Sequence, residues 1–192
     1  LWIVPTWHEP PEPDALVIRL DPGVAFGPGT HPTTRLCLEW LDAHVTADMA
    51  MLDYGCGSGI LAIAAARLGA HPVHATDVDA QALRAARANA AANDVDVRCH
   101  APGQLPGRRY DIVVANILAN PLKLLAELLV ARCAEGGWLV LAGLLDRQVD
   151  EMQTRYREVA PRLQFQAWRA LDGWTCLAGH LPSAARDTRA GY

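Results

Sequence analysis

Charge is scarce in this sequence: aspartate, glutamate, lysine and arginine make up 20% of its 192 residues. Seventeen basic residues face twenty-one acidic ones, for a formal net charge of -4. Such a balance excludes a broad electrostatic grip on nucleic acid or on an anionic membrane. Cysteines are few: five, scattered, with no C-x-x-C pair. That pattern excludes a disulfide framework and a thiolate metal site, and fits a reducing cytoplasm. No apolar run reaches the roughly 18–20 residues of a membrane span. The opening Leu1-Trp2-Ile3-Val4-Pro5 has no basic leader before an apolar core. An initial methionine is also lacking, which reads as a segment of a longer chain.

What is present is hydrophobic: 51% of the residues, over a length that suits one globular domain. Between residues 50 and 142, β-type runs alternate with helical ones. Strands are expected at Met51–Tyr54, Val73–Thr76, Val95–His100, Tyr110–Ala115 and Trp138–Ala142. Helices are expected at Ile60–Leu68, Ala80–Asn93 and Pro121–Ala134, the first with Ser58 as N-cap and Gly69 as its stop. This alternation specifies an α/β fold, a doubly wound and mostly parallel sheet with helices on both faces. A helix over Arg147–Val159 follows. Leu163–Ala170 and Trp174–His180 then flank an Asp172-Gly173 turn, which implies a C-terminal antiparallel hairpin. Residues 1–20, with the proline-rich Trp7–Pro13, are expected as a lead-in, 21–181 as the folded domain and 182–192 as a loose tail.

The stretch Leu52-Asp53-Tyr54-Gly55-Cys56-Gly57-Ser58-Gly59-Ile60 joins the first of those strands to its helix. A glycine-rich turn there lets a ligand touch the main chain at the carboxyl edge of the sheet. For NAD or FAD the spacing would be G-x-G-x-x-G; here it is Gly55-x-Gly57-x-Gly59. Asp77, followed by Val78 at the end of the second strand, stands where a carboxylate accepts both ribose hydroxyls of an adenosine. Asp79 should face elsewhere. Acidic Asp53 beneath the loop suits a sulfonium with an ammonium group better than a pyrophosphate, and S-adenosylmethionine meets both demands. Cys56 has nothing beside it to activate a thiolate and reads as filler.

A second glycine-rich segment, Asp21 to Arg35, runs into a helix with Leu36, Cys37, Trp40 and Leu41 on one face. Thr30 or His31 would cap it and Pro32 would start it. Its free N–H groups and hydroxyls would receive the cofactor's carboxylate, through Thr33 or Thr34, with Phe26 as a lid. Asn116 follows the fourth strand at the same edge. Its side-chain carbonyl, with the Ile117 main-chain carbonyl, can accept hydrogen bonds from an incoming amine and aim its lone pair. His31 as a base, His71 and His74 as metal ligands, and Trp168 and Trp174 as stacking platforms are the weaker readings; hairpin packing suits the tryptophans better.

The segments DPGVAFGPGTHPTT, LDYGCGSGILAIAAARLGA, ATDVDAQALRAARANA and YDIVVANILANPL, in this order, resemble the methyltransferase domain of the ribosomal protein L-eleven methyltransferase family of the PrmA type. The resemblance implies a class I S-adenosylmethionine-dependent fold. It further implies methylation of lysine side chains, and of an N-terminal amine, on a large-subunit ribosomal protein. No direct nucleic-acid or membrane contact and a monomeric state are expected with it. Residue by residue, the family's cofactor threonine falls on Thr34, its loop glycine on Gly55, its ribose acid on Asp77 and its active-site asparagine on Asn116. Two departures stand out: Pro28 replaces a usual threonine, and the family's amino-terminal substrate-gripping domain has no counterpart before Leu1. The alternatives are a cofactor-binding fragment without activity and a nicotinamide-dependent oxidoreductase. The second is disfavoured by the glycine spacing and by the lack of a Tyr-Lys or His-Asp arrangement.

Overall fold

A computed structural model describes residues 2–5, 8–9, 16–20 and 31–183. Two short strands, β1 (Trp2–Val4) and β2 (Val17–Arg19), pair in parallel as a small sheet of their own. Ile18 and Leu20 of this lead-in are buried in the core beside the first helices. The main sheet has seven strands: β3 (Met51–Tyr54), β4 (Val73–Thr76), β5 (Val97–His100), β6 (Tyr110–Asn116), β7 (Cys133–Leu145), β8 (Gln164–Leu171) and β9 (Trp174–His180). Their order across the sheet is β5-β4-β3-β6-β7-β9-β8. Only β9 runs against its neighbours. The chain leaves β3 toward β4 and β5, then returns to place β6 on the other flank of β3. That reversal opens a crevice at the carboxyl ends of β3 and β6, where open α/β sheets take ligands.

Helices α1 (Pro32–His44), α2 (Ile60–Arg67) and α3 (Ala80–Ala92) bury one face of the sheet. Helices α4 (Ala119–Leu124), α5 (Ala126–Arg132) and α6 (Val149–Val159) bury the other. The strand residues alternate accordingly: Met51, Ile112 and Val114 face the first layer, Leu52, Val113 and Ala115 the second. The expected class I methyltransferase-like fold, parallel with a C-terminal hairpin, is what forms. The hairpin turn has φ of 52° at Asp172 and 79° at Gly173, the type I′ geometry that the Asp-Gly pair favours. Gly69 ends α2 at φ 100°, with its N–H bonded to the Ala66 carbonyl and that of Ala70 to Ala65.

Three local expectations are corrected. Ser58 does not cap α2; Gly59 holds the cap position in a left-handed conformation with no side-chain bond. The Asp53 carboxylate does that work from β3, accepting the Ala62 N–H at 3.1 Å. A Cβ on Gly59 would lie 2.9 Å from the Ala86 Cβ of α3, so glycine lets the two helices close on each other. The single helix expected at Pro121–Ala134 is two, broken at Leu125. The carbonyls of Leu122 and Lys123, which would continue the helix, are taken by the Tyr156 hydroxyl at 2.9 Å and Arg155 Nε at 3.2 Å, both from α6. Finally, the strand expected at Trp138–Ala142 is longer: β7 begins at Cys133, ahead of Gly136-Gly137, and runs on through Gly143 to Leu145.

Candidate active site at the carboxyl edge

The β3–β4 side of the crevice is built on main-chain geometry. Gly55 and Gly57 have φ of 79° and 52°, where a side chain is disfavoured. The N–H groups of Gly55 and Cys56 donate to the Thr76 carbonyl at 2.8 and 3.0 Å, which ties the loop to the end of β4. Asp77 is then held by both oxygens: Oδ2 accepts the Gly57 N–H and Oδ1 the Asp79 N–H, each at 2.9 Å. Each carboxylate oxygen keeps a lone pair, so the fixed group can still accept two hydroxyls. Val78 beside it is 88% exposed, an apolar surface at the rim with nothing covering it among the described residues. Asp79 does face elsewhere, capping α3 through the Gln81 N–H at 2.8 Å.

Asp53 lies below this loop, 1% exposed. Its Oδ2 serves Ala62, and its Oδ1 is buried without a partner among the described residues. Burial pushes its carboxyl up to about 7; the Ala62 N–H works against the rise and the nearby Asp77 charge adds to it. A cation above the loop would favour the ionised form. Cys56 is buried and burial raises its thiol far from any reactive range, in keeping with a filler role.

The other side of the crevice brings distant segments together. Asn116 Nδ2, at the end of β6, donates to Thr34 Oγ1 at 3.3 Å across 82 residues of sequence. This bond faces the amide so that Asn116 Oδ1 is left to accept, and Thr34 keeps its hydroxyl proton to donate. The expectation of free N–H groups at the start of α1 is corrected: His31 uses them. The Thr33 N–H donates to His31 Nδ1 at 3.3 Å, and those of Thr34 and Arg35 to the His31 carbonyl at 3.0 and 3.1 Å. The Thr33 hydroxyl is also engaged, with His31 Nδ1 at 2.8 Å. Of the two threonines, only Thr34 therefore offers a hydroxyl toward the crevice. His31 is the cap of α1 and meets the ring of Trp174 edge-on at 4.9 Å, so hairpin and helix start are joined there. Trp168 packs on His44 instead. Phe26, Pro28 and Thr30 lie outside the described residues.

His74 is buried and hydrogen-bonds the Tyr110 hydroxyl at 2.8 Å, with the His100 ring 5.0 Å away. It belongs to the core beneath the sheet edge. Among the described residues no group of three metal-ligating side chains occurs. Sequence reasoning missed Gly143, in β7 at φ 86°; a Cβ there would stand 2.2 Å from the Ile117 carbonyl oxygen. An isolated glycine inside a strand pattern is the signal that marks it.

The family model described as ribosomal protein L11 methyltransferase (PrmA) matches residues 1–181. The chain belongs to this family. It is 55% identical over 179 residues to the ribosomal protein L11 methyltransferase of Thiobacillus denitrificans, covering 93% of this chain and 60% of that protein. The chain thus spans about 60% of the length of the curated relatives it matches. It is similar to the crystal structure of ribosomal protein L11 methylase from Lactobacillus delbrueckii subsp. bulgaricus, at TM-score 0.81 and 34% identity over 94% of each chain. A 16S rRNA methyltransferase of T. thermophilus, solved with AdoMet and guanosine, shares the fold at TM-score 0.68 and 20% identity, over 81% of this chain and 45% of that one.

Proposed function

We propose that this chain is the catalytic part of a methyltransferase that moves methyl groups from S-adenosylmethionine to lysine side-chain amines, and to an N-terminal amine, of ribosomal protein L11. Asp77 would hold the two ribose hydroxyls, the turn at Gly55 and Gly57 would admit the ligand to the main chain, and Val78 would lie against the adenine. The Thr34 hydroxyl would donate to the amino-acid carboxylate, with Thr33 supporting the same helix start through His31. Asp53 would act from below as a buried negative centre. Its Oδ1, without a partner among the described residues, is the feature that fits a cationic ligand and not a pyrophosphate. When bound, S-adenosylmethionine would supply an electrophilic methyl carbon whose leaving group is the neutral thioether, open to attack by a neutral amine.

The chain's own work is to place that amine. Asn116 Oδ1 and the Ile117 carbonyl accept its N–H groups, which turns the lone pair toward the reacting carbon. Alignment of this kind can supply several kcal/mol of barrier reduction. A lysine ammonium must first lose its proton. Entry into a drier crevice lowers its pKa in that direction, and water can take the proton without a dedicated base. The observation that carries the reading is the Asn116–Thr34 hydrogen bond, because it joins an amine acceptor to a carboxylate donor at one edge. The segment of the relatives that this chain does not span would grip the protein target. A cytoplasmic, monomeric enzyme fits the ribosomal substrate.

Calorimetry with S-adenosylmethionine and with NAD, followed by transfer of labelled methyl to purified ribosomal protein L11, tests the reading. Binding of the first nucleoside with label on L11 is expected. A folded chain that binds NAD in its place, or one that binds S-adenosylmethionine but labels no L11 even when joined to an amino-terminal domain of the family, overturns it.

A further inference from the structure

The chain at Ile117 leaves the sheet between two glycines, Gly55 just after β3 and Gly143 within β7. On the β3 side, a Cβ at Gly55 would stand 2.4 Å from Ile117 Cγ2. On the β7 side, a Cβ at Gly143 would stand 2.2 Å from the Ile117 oxygen, 2.7 Å from its carbonyl carbon and 3.3 Å from its nitrogen. The first conflict involves the side chain of Ile117; the second involves its main chain, which cannot swing aside alone. The last rung of the β6–β7 ladder pairs Asn116 with Ala142, one residue before Gly143. On the opposite edge of β7, pairing with β9 shifts between Leu141 and Leu144, where two residues of β7 face Cys176 alone. Such a bulge re-aims the strand next to a site. Here it sets a residue without a side chain against the Ile117 carbonyl.

From this we infer that Gly143 is a positioning residue for the acceptor amine. By leaving the volume beside it to the Ile117 carbonyl, it fixes where that oxygen stands relative to Asn116, and so where the amine is held. The inference rests on the methyltransferase reading and deepens it. Gly143 touches neither cofactor nor acceptor; it acts through Ile117. Any side chain at 143 must displace the Ile117 carbonyl, while the turn at Gly57 and Asp77 on the far side of β3 is untouched.

A purely structural need for glycine at positive φ is the rival account, and Gly136 supplies the control. It lies in the same strand at φ 78°, but a Cβ there would meet only Ser183 Oγ, at 3.1 Å. The probes are S-adenosylhomocysteine, which presents no amine at the reacting position, and sinefungin, which carries an amine where the transferable methyl stands. In the full chain, Gly143→Ala should weaken sinefungin by about tenfold, the loss of one charged hydrogen bond, and S-adenosylhomocysteine by less than about twofold. Gly136→Ala should leave the ratio of the two affinities unchanged. Transfer to L11 should lose kcat in Gly143→Ala with little change in KM. If Gly143→Ala weakens both nucleosides equally, or neither, the inference is overturned and the methyltransferase reading stands. If the parent chain binds neither nucleoside, both fall. Should Gly143→Ala not fold, Ile117→Gly frees the same peptide without adding an atom. Sinefungin must then weaken selectively, or the clamp is not what holds the carbonyl.

Discussion

On the β3–β4 side of the crevice, neighbouring turns hold one another across short stretches of chain. Gly57 reaches Asp77 over 20 residues and Asp77 reaches Asp79 over two. On the β6–β7 side nothing is local: Asn116 meets Thr34 across 82 residues, and Ile117 lies against Gly55, just after β3, by its side chain and against Gly143 of β7 by its main chain. The first side is a unit of supersecondary structure that holds its ligand geometry as soon as β3, α2 and β4 form. The second exists only when α1, β6 and β7 are all docked. On the proposed reading, binding and alignment fall to parts of the fold with different structural dependence, and substitutions should separate them.

The largest separation is expected between Asn116→Ala and Asp77→Ala. On the proposed reading, removing Asn116 would take one acceptor from the amine, and kcat for L11 methylation should fall by about 100-fold or more, as for other preorganised polar groups. Affinity for S-adenosylmethionine should change by less than about fivefold, the share transmitted through Thr34. Asp77→Ala should do the reverse, weakening the nucleoside by about 100-fold for two lost charge-assisted hydrogen bonds. Its kcat at saturating nucleoside should stay near the parent value. Paired calorimetry and steady-state kinetics read both. Equal losses of binding and turnover in each variant would erase the division between the two sides.

Asp53 should give a smaller effect with a definite dependence on pH. Its folded carboxyl titrates near 7 against an ordinary value of 3.8. Between those values the folded chain holds a proton that the unfolded chain has released. This group therefore favours the fold at low pH and disfavours it progressively as pH rises through 7. A cation bound above the loop draws that proton off, so affinity for S-adenosylmethionine should increase as pH rises across 7. Each unit by which the ligand lowers the carboxyl pKa corresponds to about tenfold in affinity. Asp53→Asn should abolish the pH dependence and weaken binding by about tenfold at pH 8. S-adenosylhomocysteine, with one cationic centre fewer, should be affected less. A pH-independent affinity in the parent chain would remove Asp53 from the binding account.

The same division explains what could be read from the sequence. The positions of β3, β4 and α3 and the facing of Asp77 and Asp79 follow from periodicity, glycine spacing and the alternation of strand ends. The bond from Asp53 to Ala62 was not legible: Ser58 looked like the cap because local spacing cannot show a carboxylate arriving from the neighbouring strand. Thr33 and Thr34 looked equivalent until His31 was seen to occupy the helix N–H groups. Gly143 is not legible from its own neighbours because its importance lies in Ile117, the residue that follows another strand. The family resemblance supplied Asn116 as the active-site position; geometry supplied the partner that orients it.

The smallest effect should come from α6, which supports the β6–β7 side from outside. The Tyr156 hydroxyl donates to the Leu122 carbonyl from a fully buried position and so helps to break the helix that follows Leu118. Tyr156→Phe leaves that carbonyl either unpaired or free to take the Ala126 N–H and rejoin α4 with α5. The first outcome should cost about 1 kcal/mol and lower Tm by about 2–4 °C. The second would recover part of that loss but shift the start of α4, and with it the peptide at Ile117, at the expense of kcat by up to about threefold. In neither case should S-adenosylmethionine affinity move, since Asp77 and Gly57 lie on the opposite side of β3. A change in nucleoside affinity in this variant would mean that the two sides of the crevice are mechanically coupled through the sheet.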